Sequence, residues 1–323
     1  MRILKKIIPA LLTVILLAAM LTLLSILTMP KLNTQEAGHT TWAAYGFEAE
    51  AKDSIDLFLL GDSESRTSIS PMELFHDYGI SSYCCGINAN NLSEVDDMLR
   101  LVMKYQSPRV VILECNVIFT PFDWKEALET TAEAVFPVIY WHNRWKTLLP
   151  GDFTRFPKYD SIEVRKGYYH SRGSNAAPPY MLDRYMVPDE SVYPVGKINK
   201  WYLKRIKGRC EKKGAQLILM SMPSVKNWST AKHNTCAELA QEMDVPFVDL
   251  NEMREEVPID WNVDTRDRGD HLNNIGMQKV CAWLGPWLRE NYGLEDHRGD
   301  PSYDASWTDQ YDAYLEWVYE ENK

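Results

Sequence analysis

The sequence has 323 residues, of which 45% are hydrophobic and 25% are charged, so it can build a large core and is neither disordered nor fibrous. Its six cysteines are too few for a disulfide scaffold. Beyond the first thirty residues, acidic residues outnumber basic ones by 45 to 32. This balance argues against a nucleic-acid partner, because binding to a duplex requires a basic face.

The first predicted element is an apolar helix. Residues 7–29 carry no charge, and as a helix they would span about 35 Å, enough to cross a hydrocarbon core of about 30 Å. The basic Arg2, Lys5 and Lys6 precede this run, and such residues favour the cytoplasmic side. We therefore predict that residues 1–30 form a cytoplasmic tip and an uncleaved transmembrane anchor, with the remaining chain outside the cytoplasm. A cleaved signal peptide is the alternative, but its apolar run would be shorter.

A stalk is predicted at residues 31–53, and beyond it short apolar runs alternate with helical patterns. The predicted strands are 55–60, 81–85, 109–113, 216–220 and 247–250. The predicted helices are 93–105, 197–213, 230–243 and 274–290. This alternation is typical of βαβ units, so we predict an α/β domain over residues 54–292, a flavodoxin-like three-layer sandwich with a central parallel sheet.

The alternation stops at about residues 117–196, which form an aromatic-rich insertion predicted to lie over one end of the sheet. We expect helix at about 124–145, since an unstructured loop of this length is improbable in a compact domain. The aromatic residues include Tyr140, Trp141, Tyr168 and Tyr169. Aromatic faces suit either sugar rings or a membrane interface. The acidic tail, residues 293–323, is predicted to contain a short amphipathic helix at 303–319.

Polar residues after the predicted strands are candidates for a site, because parallel sheets bind ligands at the carboxyl ends of their strands. Gly61, Asp62 and Ser63 follow the first strand and place a hydroxyl on the turn. Gly86 follows the second strand and Asn116 the third. A backbone N–H and a side-chain amide at these two positions could donate to an oxyanion.

A histidine with neighbouring carboxylates precedes the last predicted helix, in the loop 264–273. A nucleophilic serine needs a base within hydrogen-bond reach, and that base needs a carboxylate on its other ring nitrogen. His271 can supply the base, and Asp267 or Asp270 the carboxylate. The sequence has no C-x-x-C pair and no Cys/His cluster at zinc spacing, and we predict no metal and no cofactor.

Together these residues resemble the SGNH/GDSL hydrolase superfamily, whose blocks are a GDS serine, a glycine, an asparagine and a C-terminal D-x-x-H. The resemblance extends over roughly residues 55–290 and implies the SGNH hydrolase fold. It implies Ser63 as nucleophile, His271 as general base, and an oxyanion hole made by Gly86, Asn116 and the Ser63 N–H. Two blocks depart from the usual pattern, at Glu64, where leucine is usual, and at Glu114-Cys115-Asn116-Val117, where G-x-N-D is usual.

The last block departs as well, because Arg268 stands three residues before His271, where the superfamily has aspartate. We predict Asp267 as the acid of the triad, since D-x-G-x-H-L-N resembles the form found in membrane-anchored, extracytoplasmic members. Asp270 is the alternative acid.

Those anchored members include proteins similar to alginate O-acetylation and teichoic-acid D-alanylation accessory proteins, which act beside a multi-span membrane acyltransferase. The resemblance implies a serine acyl-transfer enzyme, an O-acyltransferase or esterase, acting on cell-surface or secreted polysaccharide. Its expected partners are an acylated glycan or acyl donor and a multi-span membrane O-acyltransferase. The alternatives are a membrane-anchored lipid esterase and a non-catalytic SGNH-fold partner of a membrane acyltransferase, which the altered asparagine block favours.

Overall fold

The computed structural model describes the backbone of residues 4–320 and the side chains of residues 7–318. Arg2 and the side chains of Lys5 and Lys6 lie outside that description. The membrane orientation inferred from these basic residues therefore stays a prediction. The strands are β1 (Leu57–Leu60), β2 (Ser82–Cys84), β3 (Val110–Glu114), β4 (Gln216–Ser221) and β5 (Phe247–Asp249). The helices are α1 (Leu4–Thr28), α2 (Trp42–Tyr45), α3 (Ser63–Ser68), α4 (Pro71–Tyr78), α5 (Leu92–Tyr105), α6 (Trp124–Val135), α7 (Val138–Trp141), α8 (Pro179–Leu182), α9 (Lys197–Lys213), α10 (Thr230–Met243), α11 (Asn274–Tyr292), α12 (Pro301–Asp304) and α13 (Tyr311–Glu320).

The chain forms two compact units. Unit 1 consists of the chain up to residue 40 together with residues 123–161, and unit 2 consists of residues 41–122 together with the chain from residue 162 onward. The predicted insertion at about 117–196 is therefore divided, since only its middle part belongs to unit 1.

Unit 2 contains a five-stranded sheet in the order β2-β1-β3-β4-β5, and all of its neighbouring strands are parallel. All five predicted strands are present, and this is the flavodoxin-like order, so the predicted α/β fold is confirmed. The order reverses between β1 and β3, which lie side by side. Open parallel sheets bind ligands outside the carboxyl ends of strands at such a reversal.

Both faces of the sheet are buried, as the three-layer prediction requires. Alternate residues of a strand point to opposite faces, and all four residues of β1 are buried. Leu57 and Leu59 belong to a core that includes Phe75 of α4 and Leu284 of α11. From the other face, Phe58 packs against Phe47 and Tyr83.

Two helices between β1 and β2 were not predicted, although their end signals are in the sequence. Ser70 accepts a hydrogen bond from the Glu73 N–H at the start of α4, and Pro71 occupies the first helical position. Gly79 ends α4 with φ +72°, a left-handed conformation that favours glycine. The predicted helix within the insertion is present as α6 and α7.

Residues 41–53, predicted as the end of the stalk, are part of unit 2. Phe47 is fully buried and packs edge-on against Phe58, Tyr83 and Tyr105. Its aromatic side chain explains why this stretch folds against the core rather than extending as a stalk.

The predicted C-terminal helix is interrupted and begins at Tyr311 as α13. Tyr314 of α13 is fully buried and bonds Ser70 through its hydroxyl at 2.9 Å. Trp307, just before α13, stacks on Phe75 with ring centroids 4.8 Å apart. The tail is thus part of the core of unit 2.

Unit 1 contains α1, and the stretch Ile7–Thr28 of this helix is long and apolar enough to cross a membrane. Most of α1 is exposed, but Ser25 and Thr28 near its end are buried. They are covered within unit 1, where α7 packs against α1 and the Val138 N–H donates to Ser25 Oγ at 3.0 Å.

Candidate active site

Ser63 lies on the turn between β1 and α3. Asp62 caps α3, because its Oδ1 accepts the Glu64 N–H at 2.9 Å. Ser63 is therefore the first residue of the helix, and it is half-buried at the carboxyl end of β1. This is the strand at which the order of the sheet reverses.

The histidine comes from a tight loop before α11. A bridge between Thr265 and Leu272 closes the loop, and Thr265 Oγ1 donates to the His271 carbonyl at 3.0 Å. Arg268 and Gly269, at its tip, both have left-handed backbone conformations, with φ +69° and +89°. Two successive residues of this kind turn the chain sharply enough to bring Asp267 back beside His271.

Ser63, His271 and Asp267 form a chain of hydrogen bonds. Ser63 Oγ lies 2.8 Å from His271 Nε2, and His271 Nδ1 lies 2.6 Å from Asp267 Oδ2. Burial raises the pKa of Asp267, but the bonds from His271 outweigh that effect, and the pKa lies below its usual value. The arrangement provides a hydroxyl, a base and an orienting carboxylate in the order that nucleophilic catalysis requires.

Asp270, the alternative acid, does not bond His271. Its Oδ1 lies 3.8 Å from His271 Nδ1, beyond hydrogen-bond distance. Its carboxylate instead accepts bonds from Lys226 and Asn227. The structure thus pairs Asp267, not Asp270, with the histidine.

The two predicted oxyanion donors border the Ser63 turn. A Cβ on Gly86 would collide with Ser65 Oγ and with the Asp62 carbonyl, so only glycine allows this close approach. Asn116 Nδ2 donates to Asp62 Oδ2 at 3.0 Å. A side-chain amide has a second hydrogen, and among the described residues that hydrogen has no partner.

Three buried carboxyl groups, on Asp62, Glu64 and Glu114, lie within 4.8 Å of one another, and two of them belong to the chain neighbours of Ser63. Burial raises the pKa of Glu64 and of Glu114 well above the usual value, and the charge of Asp62 raises both further. Oε2 of Glu64 and Oε2 of Glu114 have no hydrogen-bond partner among the described residues. These two glutamates therefore retain protons at a pH where exposed glutamates are charged.

Residues after β4 reach the same place and were missed by our sequence analysis. Lys232 of α10 donates from Nζ to Asn116 Oδ1 at 2.7 Å, and burial lowers its pKa despite the nearby carboxylates. Asn227 Nδ2 donates to Glu64 Oε1 at 2.7 Å. The sequence does carry a signal for them, since polar residues follow the carboxyl end of β4 as they follow those of β1 and β3.

Tyr169 lies between two arginines, Arg66 of the serine helix α3 and Arg266. The guanidinium groups of Arg66 and Arg266 lie 4.7 Å and 4.8 Å from the ring centroid of Tyr169. The Tyr169 N–H donates to the Arg66 carbonyl at 2.7 Å, which fixes the tyrosine beside α3. Of the predicted aromatic residues, Tyr169 therefore lies beside the catalytic candidates.

Among the residues that the structure describes, two groups of side chains have donor atoms close enough for a cation. They are Asp62, Glu64 and Glu114, and Asp267, Asp270 and His271. In the second group the histidine and Asp267 already bond each other, and in the first the two glutamates have raised pKa values. Acidic clusters alone do not identify a metal site, and the expectation of no metal stays a prediction.

No protein-family model matches the sequence, and no curated protein matches it. Solved structures with a similar arrangement include a proposed acylhydrolase from Bacteroides fragilis, at 13% identity and TM-score 0.40, covering 78% of this chain and 95% of that one. TesA is 10% identical with a TM-score of 0.38, covering 73% and 98% of the two chains. A GDSL-like lipase from Bacteroides thetaiotaomicron is 11% identical with a TM-score of 0.37, covering 73% and 88%. At these values the likenesses say nothing about what this chain does.

Proposed function

We propose that this protein is a serine acyl-transfer enzyme, an esterase or O-acyltransferase, that acts on cell-surface or secreted polysaccharide. The observation that supports it most is the continuous chain of hydrogen bonds from Ser63 Oγ through His271 to Asp267. The three residues come from two distant parts of the sequence and meet at the carboxyl edge of the sheet, where such folds carry their sites.

In the proposed reaction, Ser63 Oγ attacks the ester carbonyl carbon while His271 Nε2 takes the hydroxyl proton. Asp267 Oδ2 accepts a hydrogen bond from the Nδ1–H of the imidazolium, which stabilises its charge and holds the ring in place. The second Asn116 amide hydrogen and the Gly86 and Ser63 N–H groups would donate to the oxyanion. As the tetrahedral intermediate collapses, His271 gives its proton to the leaving alcohol and an acyl-serine remains. A sugar hydroxyl or water then attacks this ester and gives its proton to His271. His271 returns that proton to Ser63 Oγ as the acyl–serine bond breaks.

We also propose that α1 anchors the protein in the cell membrane as a single span, with unit 2 outside the cytoplasm. The length and apolar character of Ile7–Thr28 support the span. The proposed outward orientation rests on the basic residues that precede it. A multi-span membrane O-acyltransferase that supplies the acyl group is the partner we propose for this arrangement.

The non-catalytic alternative is favoured by one observation, the cluster of buried carboxyl groups on Asp62, Glu64 and Glu114. Negative charge on Glu64 or Glu114 would oppose an oxyanion, and one Asn116 amide hydrogen is already bonded to Asp62. The raised pKa values of the two glutamates weaken this argument against catalysis, because a protonated carboxyl group carries no charge that would oppose an oxyanion.

Fluorophosphonate labelling of the purified full-length chain separates the two functions. An activated serine takes the label covalently, so the native chain should react and Ser63→Ala should not. Ser68→Ala, which removes another buried hydroxyl from the same helix, is the matched control and should label normally. If the folded native chain takes no label, the protein is a non-catalytic partner and the enzyme proposal fails.

A further inference from the structure

Outside the apolar stretch at the start of the chain, exposed apolar side chains are concentrated in residues 123–161, here called the interface segment. Nine large hydrophobic side chains are exposed within these 39 residues. Nine are also spread over all the described side chains of unit 2, which is several times longer. Large apolar patches on a folded protein indicate a surface that is covered in use.

One part of this surface is a face of α6. Trp124, Leu128 and Val135 are 60%, 68% and 61% exposed. They are spaced four and seven residues apart, which places them within about 40° of each other around the helix. Lys125, Glu126 and Glu129 fall on a different side of α6. An amphipathic helix whose apolar face is exposed is the form that lies in a membrane interface.

The rest of the surface follows α7. Trp145, Leu149, Phe153 and Phe156 are each at least 65% exposed. Residues 141–158 have four basic residues and one acidic residue, Asp152, which pairs with Arg144 at 3.3 Å. Lys146 Nζ lies 5.9 Å from the ring centroid of Trp145. Aromatic and cationic residues together are typical of the level of lipid headgroups.

The interface segment is fixed to α1 at the end of its apolar run. Arg144 Nη1 donates to the carbonyls of Thr28 and Met29 at 3.0 Å and 2.9 Å, where a helix leaves carbonyls unpaired. The Val138 N–H bonds Ser25, about one helical turn before Thr28. The segment thus reaches from the end of the apolar run to about one turn inside it.

We infer that the interface segment binds the bilayer surface, with its apolar side chains among the lipid tails and its basic residues among the phospholipid headgroups. This inference rests on the proposed anchoring by α1, because the bonds to Ser25, Thr28 and Met29 set the depth of the segment. It predicts a second membrane contact that is separate from the span itself.

The test uses the full-length chain reconstituted in phospholipid nanodiscs. Leu149→Cys and Phe156→Cys each receive an environment-sensitive fluorophore, and Tyr180→Cys, an exposed apolar position in unit 2, is the matched control. The six native cysteines are buried, so the native chain should take little label. We expect the emission of the probes at 149 and 156 to shift to shorter wavelength and to be quenched strongly by doxyl-labelled lipids but little by aqueous iodide. The probe at 180 should show no such shift, little quenching by the lipids and strong quenching by iodide.

Three results would overturn the inference. Probes at 149 and 156 that behave like the probe at 180 in an inserted chain would show that the segment faces water. Probes shielded from both lipid and iodide would show that a second copy covers it. A chain that stays out of the nanodiscs would refute the α1 anchor itself, and this outcome is distinguishable because no variant would then co-purify with lipid.

Discussion

Asp267 holds His271 at two points: its Oδ1 accepts the backbone N–H of His271 at 2.7 Å, and its Oδ2 lies 2.6 Å from the ring Nδ1. One carboxylate therefore fixes both the backbone and the ring of the proposed base. Because the two residues are four apart in one tight turn, this contact needs no other element to form.

The first prediction concerns this carboxylate. Asp267→Asn should reduce ester turnover by roughly four orders of magnitude, because an amide donor at Oδ2 favours the wrong tautomer of His271. Turnover of a nitrophenyl ester, with thermal unfolding as a check on folding, measures the effect. Asp270→Asn is the control and should cost far less, since Asp270 bonds Lys226 and Asn227 instead. A larger loss in Asp270→Asn would make Asp270 the acid.

The sheet could be predicted from the sequence because strands buried on both faces are short continuous apolar runs. The residues Ser63 and His271 could be singled out because each follows a recognisable end of an element. The choice between Asp267 and Asp270 could not be made from spacing alone. It depends on the left-handed backbone at Arg268 and Gly269, which selects the carboxylate that turns back to the ring.

Contacts between distant parts of the chain could not be predicted from the sequence pattern. Lys232 reaches Asn116 across 116 positions, and Arg144 reaches Met29 across 115. No periodicity records such pairs, because each depends on how whole elements pack. For the same reason the chain pattern did not show that residues 123–161 belong with the apolar helix.

The second prediction concerns the folded end of the predicted stalk. Phe47→Ala should destabilise the protein by about 3–5 kcal/mol, because it removes a fully buried aromatic side chain and leaves a cavity. Chemical denaturation of the detergent-solubilised chain, followed by tryptophan fluorescence, measures the change. Tyr180→Ala, at a position 56% exposed, should change the stability little. An equally small effect of Phe47→Ala would mean that residues 41–53 are a loose stalk after all.

The third prediction concerns the substrate. Tyr169→Ala should lower activity on an acetylated oligosaccharide more than on a small nitrophenyl ester, because an aromatic face beside the serine can pack against a sugar ring. Tyr169→Phe keeps the ring and its two arginine neighbours, and should retain most of the activity. Equal losses on both substrates would make Tyr169 structural, and a preference for long-chain lipid esters would favour the lipid esterase.

The last prediction concerns Glu64, whose pKa is raised by burial and by the charge of Asp62. The folded protein holds this proton more tightly than the unfolded chain, so the protein loses stability as the pH rises from the unfolded pKa, about 4.3, towards the raised folded value. Glu64→Gln keeps an oxygen that can accept from Asn227 but has no proton to lose. The stability advantage of Glu64→Gln over the native chain should therefore be small below pH 4, grow with pH, and level off above the folded pKa.

Denaturation midpoints measured across pH give this difference in stability, with the exposed Glu256→Gln as a control that should show no such growth. If Glu64→Gln tracks the native chain at every pH, Glu64 does not hold a proton in the folded state, and a charged carboxylate beside Ser63 would then favour the non-catalytic alternative.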